Sequence, residues 1–283
     1  MDKRILIPTD FSKNALNAIR YALDLYKNKK CEFYFLNTFH SDVFSLDNKM
    51  MVPEPGEPSY ESAKKKSTDG LKKLLTIVDL HVVNPKHQFH TISTFNSLIE
   101  AIREVIGKKD IELVIMGTKG ATASKSVVFG TNTVQVMEKI TECPVLAVPD
   151  DFLFGPPREI VFPTDYKTVY KRREMVHLLE LAQMYKTPIR VLHIEEEEHL
   201  TFAQENNKEL LEAILAGTEY SEHVLTGTKV KEGIYSFIES RGSDMIAFIN
   251  KRHRFFGMLF SNPLVKEIGN DSHVPILVLN DKS

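Results

Sequence analysis

Ile5-Leu6-Ile7-Pro8-Thr9-Asp10-Phe11 recurs in the second half of the chain as Ile160-Val161-Phe162-Pro163-Thr164-Asp165-Tyr166. Each copy is a short apolar run closed by Pro-Thr-Asp and an aromatic residue, the pattern of a strand buried on both faces. Cys143-Pro144-Val145-Leu146-Ala147-Val148 likewise recurs as Val274-Pro275-Ile276-Leu277-Val278-Leu279. Between these markers the order is kept. Phe33-Tyr34-Phe35-Leu36 matches Ile189-Arg190-Val191-Leu192, and Leu98-Ile99-Glu100-Ala101-Ile102 matches Ile234-Tyr235-Ser236-Phe237-Ile238. The chain is a tandem duplication. Strands alternating with long helical stretches give right-handed crossovers and a parallel sheet covered on both faces. The fold class predicted is α/β, two tandem doubly wound domains, each with a five-stranded parallel sheet and helices on both faces. Asp150 to Arg158, with Gly155-Pro156-Pro157 inside it, reads as a stiff linker. The expected domains are 1–150 and 158–283. Ser41 to Ser59, rich in proline and without a counterpart in the second copy, reads as a long surface loop.

The chemistry is concentrated after the apolar run Leu113-Val114-Ile115-Met116, where Gly117-Thr118-Lys119-Gly120 is followed, after nine intervening residues, by Gly130-Thr131-Asn132. Val134, Met137 and Ile140 then recur at helical spacing and predict a helix over 133–140. Helix N-termini present unpaired amides and the positive end of the helix dipole, the setting of many anion sites. Glycines there allow close backbone approach and positive φ, and Thr131, Asn132 and Thr133 supply donors and helix caps. The spacing fits neither a Walker A loop nor the dinucleotide fingerprint.

Together with the Pro-Thr-Asp strand end, Gly-x2-Gly-x9-Gly-Thr-Asn resembles the universal stress protein family, specifically its ATP-binding branch. The resemblance implies an adenine nucleotide alpha hydrolase-like fold, ATP with Mg²⁺ as cofactor, and a set of contacts. Pro8, Thr9 and Asp10 would serve the adenine and ribose side, and Thr38 would follow the strand whose backbone meets adenine. Met116 and Gly117 would flank the adenosine, Gly120 would open the loop, and Gly130, Thr131, Asn132 and Thr133 would hold the phosphates. It also implies pairing of the two domains through their last strands, a pseudo-dimer, with a homodimer of tandems beyond it. Asp10 has a second, compatible reading as the cap of a helix starting near Ser12. Met116 reads equally as core, and Lys119 and Lys125 as solvated loop lysines or phosphate partners.

The second copy has lost the cradle. Ile249 stands where Gly117 does, Arg252 near Gly120, and Ser261-Asn262-Pro263 replaces Gly130-Thr131-Asn132. A β-branched side chain and a proline oppose positive φ and remove an amide, so the second domain is expected not to bind ATP. The retained Asp165 reads as a helix cap.

Composition closes off other classes. With 42% hydrophobic and 26% charged residues and a net charge of −2 over 283 residues, the chain reads as globular, without a nucleic-acid or membrane partner. No apolar run reaches the roughly 20 residues of a membrane span, so the expected location is cytoplasmic. Cys31 and Cys143 are too few for a disulfide framework or zinc site and read as buried free thiols. His193, Glu195–Glu198 and His199 read as a solvated acidic loop, and Lys251 to Phe256 as a basic surface loop. No catalytic constellation assembles, which leaves slow ATP hydrolysis as the most an enzymatic reading supports. The rival to a nucleotide-responsive binding protein is a nucleotide-free interaction scaffold.

Overall fold

The computed structural model describes residues 2–39, 45–46, 49–50, 54–81, 84–120, 130–195, 199–250 and 274–280. In chain order the elements are β1 (Lys3–Pro8), α1 (Lys13–Leu25), β2 (Cys31–Thr38), β3 (Ser45–Leu46), β4 (Lys49–Met50), α2 (Pro58–His81), β5 (His87–Thr94), α3 (Leu98–Lys109), β6 (Leu113–Gly117), α4 (Thr131–Lys139) and β7 (Val145–Val148). The second half continues with β8 (Ile160–Thr164), α5 (Arg172–Tyr185), β9 (Ile189–Ile194), α6 (Phe202–Leu215), β10 (Tyr220–Leu225), α7 (Val230–Arg241), β11 (Met245–Asn250) and β12 (Ile276–Asn280). The α/β alternation legible in the apolar runs is present in each half among the described residues as far as β11, interrupted by the β3–β4 pair.

Strands β3 and β4 form a separate antiparallel pair. The other ten make one sheet in the order β10-β9-β8-β11-β12-β7-β6-β1-β2-β5. Every neighbouring pair in it is parallel except β7 with β12, where Ala147 faces Ile276, Leu146 faces Leu277 and Val145 faces Val278. Read outward from that seam, β7-β6-β1-β2-β5 and β12-β11-β8-β9-β10 have the same topology. The stretch expected to be loop over 41–59 is corrected at both ends. It contains β3 and β4, and Pro58 and Ser59 already belong to α2, since proline's fixed φ and missing amide suit the first helical position.

Side chains alternate between two apolar layers, one above and one below the sheet. Ile5 and Ile7 join the layer formed with α1, α2, α5 and α6, while Leu6 joins the layer formed with α3, α4 and α7. At the seam Leu277 and Leu279 enter the first layer, and Ile276 and Val278 the second. Each layer therefore runs uninterrupted through both halves of the chain. Polar contacts reinforce the junction. Lys3 Nζ lies 2.5 Å from Glu180 of α5, and the Tyr185 hydroxyl donates to the Leu25 carbonyl.

The linker is docked rather than extended into solvent. Asn17 of α1 donates to the carbonyls of Pro149 and Phe152 at 2.9 and 3.1 Å, and Phe152 and Phe154 meet the Tyr21 ring edge-on. Both cysteines are buried outside any disulfide, and burial pushes the Cys31 thiol up to about 12, which favours its protonated form. Among the described residues, no helix is long and apolar enough to cross a membrane.

Two substitutions read this architecture directly. Leu277→Ala empties a fully buried position on the seam and should lower unfolding free energy by about 2–5 kcal/mol in a denaturant titration. Leu153→Ala, in the linker and 82% exposed, should change it by no more than about 0.5 kcal/mol. A second pair separates packing from propensity. A Cβ on Gly117 would lie 3.1 Å from the Asn14 carbonyl oxygen, so Gly117→Ala should destabilise by about 1–3 kcal/mol. Gly107 on α3 has nothing within 4 Å of that position, and Gly107→Ala should stabilise by roughly 0.5–1 kcal/mol.

Candidate functional site

Strand order reverses between β1 and β6. The chain runs outward from β1 through β2 to β5, then returns to place β6 on the other side of β1. Crevices form at the carboxyl ends of strands at such a reversal because the following connections diverge. A cavity of about 720 Å³ opens there.

Of the residues singled out from the sequence, Pro8, Thr9 and Asp10 line it from the end of β1, Thr38 from the end of β2, and Met116, Gly117 and Gly120 from β6 and its loop. Asn132 and Thr133 line it from the first turn of α4. Gly130 and Thr131 start that turn, with Gly130 as N-cap, so the whole set converges on one region. Met116 is both core and wall, 6% exposed and packed in the second apolar layer. Residues 121–129, with Lys125, lie outside the described residues.

Local physics differs from expectation at several of these positions. The helix begins at Thr131, two residues early, and its N-cap Gly130 offers no side chain. Thr131, Asn132 and Thr133 are thus not caps. They occupy the first turn, where their amides have no carbonyl within the helix to bond, because the first intrahelical bond runs from Val134 N to Gly130 O. The Thr133 hydroxyl instead donates to the Gly117 carbonyl at 2.8 Å and locks the helix to the strand end.

None of the three loop glycines has positive φ; among the described residues the glycines that do are Gly56, Gly217, Gly227 and Gly242. Their role is close approach. A Cβ on Gly117 would press on the Asn14 backbone, and one on Gly120 would lie 3.1 Å from Asp10 Oδ2. The left-handed residue is Phe11, at φ 63°.

Pro-Thr-Asp forms the same turn in both halves. Thr9 Oγ1 accepts from Phe11 N and Asp10 Oδ1 from Ser12 N, as Thr164 Oγ1 accepts from Tyr166 N and Asp165 Oδ1 from Lys167 N. Tyr166 repeats the left-handed φ at 53°. Neither aspartate is a helix cap. Ser12 caps α1, accepting from Ala15 N, and Lys171 occupies the cap position of α5. The motif by itself builds a turn, and what faces the turn distinguishes the halves.

In the second half the turn is covered from the side of α5 and α6. Tyr170 is buried, bonds Thr164 Oγ1 and stacks edge-on to Phe162 at 6.1 Å. Burial pushes its hydroxyl up to about 12. Gln204 and Asn207 of α6 donate to the carbonyls of Asp165 and Tyr166. His193 Nδ1 lies 2.9 Å from the Thr164 carbonyl, so it is the protonated nitrogen there. Ile249, in the place of Gly117, is 7% exposed in the first apolar layer. It has room because α5 begins only at Arg172, whereas α1 begins immediately after Ser12. The expected counterparts Arg252 and Ser261–Pro263, with Lys251 to Phe256 and Glu196–Glu198, lie outside the described residues. Among the described residues no cluster of three or more His, Cys, Asp or Glu could hold a metal ion.

Several wall residues were not anticipated. Asn37, one residue before Thr38, is buried and donates to the Thr9 carbonyl at 2.7 Å, the place His193 takes in the second half. The first turn of α3, capped by Ser97, adds Leu98, Glu100 and Arg103 to the cavity wall. The Ser97-x-x-Glu100 spacing is a helix-start signature that would have placed a second N-terminus at this edge. Lys119 is not a solvated loop lysine. Its side chain is 9% exposed and its ammonium lies 3.3 Å from Asp150 Oδ1.

The two helix N-termini, the first-turn amides of α4 that have no intrahelical acceptor and the close-approach glycines make a wall suited to an anionic ligand whose other end lies in the partly apolar pocket of Leu36 and Met116. Comparisons with known proteins agree with this frame. Universal stress protein MJ0531 of Methanocaldococcus jannaschii is 29% identical over 150 residues, covering 52% of this chain and 81% of that protein. Universal stress protein MJ0577 of the same organism is 26% identical over 155 residues, covering 52% and 95%. Over the full length, the crystal structure of a universal stress protein from Archaeoglobus fulgidus superposes with a TM-score of 0.68 at 14% identity, covering 98% of each chain, a likeness of fold. The universal stress protein family matches residues 1–149, more than half of the chain, and this protein belongs to it.

Proposed function

We propose that the protein is two domains, 1–150 and 158–283, acting in the cytoplasm as a nucleotide-responsive binding protein. The first domain binds ATP in the cleft between β1 and β6, and the second is a non-binding partner in a pseudo-dimer closed by the β7–β12 seam. The observation that carries the reading is the convergence of Asp10, Gly117, Gly120 and the free first-turn amides of α4 on one cavity of about 720 Å³. That volume lies within the roughly 300–1,000 Å³ of small-molecule sites.

In this reading the amides of Thr131, Asn132 and Thr133 hold phosphate oxygens, while Thr9, Asp10 and the edge of β2 at Thr38 hold the nucleoside. The donor set fits a magnesium complex, since Asp10 offers an exposed carboxylate beside amides that need an anion. Magnesium bound with the triphosphate supplies charge neutralisation. Both carboxylates on the cavity wall also hold donors of the protein. Asp10 holds Ser12 N and Glu100 holds Arg103. Ile249 in place of Gly117, buried in the first apolar layer, supports a single site per chain.

The test uses nucleotide released by denaturing freshly purified protein, read by mass spectrometry, beside a Gly130→Asp variant. The backbone at Gly130, φ −70° and ψ 152°, suits an aspartate cap, and a Cβ there meets nothing nearer than 3.5 Å. Its carboxylate would satisfy the α4 amides and repel phosphate, so affinity for Mg-ATP should fall at least about 100-fold while the thermal midpoint holds or rises. Absence of nucleotide from the wild type, with no binding on adding Mg-ATP, would leave the scaffold reading in its place.

A further inference from the structure

Helix α4 carries the amides of the cleft at its N-terminus, and its C-terminus points away from the cleft toward the second half of the chain. A helix of nine residues leaves its last carbonyls without amide donors. Here side chains supply them. Asn250 Nδ2 donates to the Met137 and Glu138 carbonyls at 3.2 and 3.4 Å, and Asn280 Nδ2 to the Thr141 carbonyl just beyond the helix at 2.7 Å. Arg103 of α3 donates to the Lys139 carbonyl at 2.9 Å.

The two asparagines end β11 and β12 and are register partners. Both belong to the half whose own cradle residues are replaced. Asn250 stands at the position of Thr118, since Ile249 faces Leu279 as Gly117 faces Val148. The residue that would open a loop around a ligand is turned instead onto the helix of the other half. Cavity-lining residues all come from the first half, so the second reaches the cleft through α4 alone among these contacts.

We infer that Asn250 and Asn280 are positioning residues for α4, through which the second half sets the grip of a cleft it does not line. Amide-to-oxygen bonds weaken steeply with distance and angle, and a short helix held firmly at one end presents its free amides at a fixed place. Freed at its C-terminus, α4 can shift against the sheet, and the loss falls on phosphate contacts rather than on the nucleoside pocket of β1 and β2. The inference rests on the nucleotide reading above for its ligand, and on the hydrogen bonds alone for its structural half.

The experiment compares wild type with Asn250→Leu, Asn280→Leu and the double variant, which keep approximate shape and remove the donors. Calorimetric titration with Mg-ATP and, separately, with adenosine is paired with hydrogen exchange of the α4 amides. The double variant should bind Mg-ATP about tenfold more weakly, roughly the effect of one net hydrogen bond, with adenosine changed by less than about twofold. Exchange should quicken in α4 but not in β6 or β7, and Asn250→His, which retains a donor, should recover part of the ATP affinity. Equal loss for both ligands, or unchanged ATP affinity, would overturn the inference. If the wild type binds neither ligand, the nucleotide reading fails instead, and unchanged α4 exchange in the double variant would then overturn the positioning role independently.

Discussion

The antiparallel contact of β7 with β12 is the constraint on which the rest of the molecule depends. A parallel sheet is stable only when both faces are covered, and an open one leaves unpaired backbone groups at each edge. Here two edges are used against each other, and the apolar layers above and below continue across the junction. Leu146 and Leu277, both fully buried, face each other within the same layer. The buried layers of the two halves are therefore continuous. The ion pair of Lys3 with Glu180 and the bond from Tyr185 to Leu25 lie on the same junction and add direction to a contact that hydrophobic burial drives.

That shared frame carries the cleft of the first half and lets the two halves cover their Pro-Thr-Asp turns differently. Holding strand ends apart around a 720 Å³ cavity places first-turn amides of α4, which have no intrahelical acceptor, at its wall, a local cost that a well-packed frame can absorb. In the second half the same turn is covered by Tyr170, Gln204, Asn207 and His193, each satisfying a group around Thr164 to Tyr166. The two halves are the same fold with different answers to one question, what faces the Pro-Thr-Asp turn.

Much of this was legible in the chain. The duplicated apolar runs imply the alternation of strand and helix, because burial on both faces leaves a signature that periodicity detects. The glycine spacing marks the loop that the structure places at the strand-order reversal. Other features depend on tertiary distances that no local pattern encodes. Gly117 is glycine because Asn14, a residue of another element, lies against it, and not because of its φ. Lys119 meets Asp150 across the loop, and Asn250 and Asn280 meet carbonyls more than a hundred positions away in sequence. The start of α4 was misread because glycine at a cap leaves no side-chain signal. The wall supplied by α3 was readable, by contrast, from Ser97 and Glu100.

The docked linker has a consequence for behaviour in solution. Two separate subunits joined through such a seam would dissociate on sufficient dilution, and any property that depends on their pairing would vary with abundance by mass action. Joining them through Asp150 to Arg158, with Asn17 and Tyr21 holding the connection close to α1, keeps the partner at an effective concentration on the order of millimolar or above. Pairing then becomes a property of each molecule, the same when the protein is scarce as when it is plentiful.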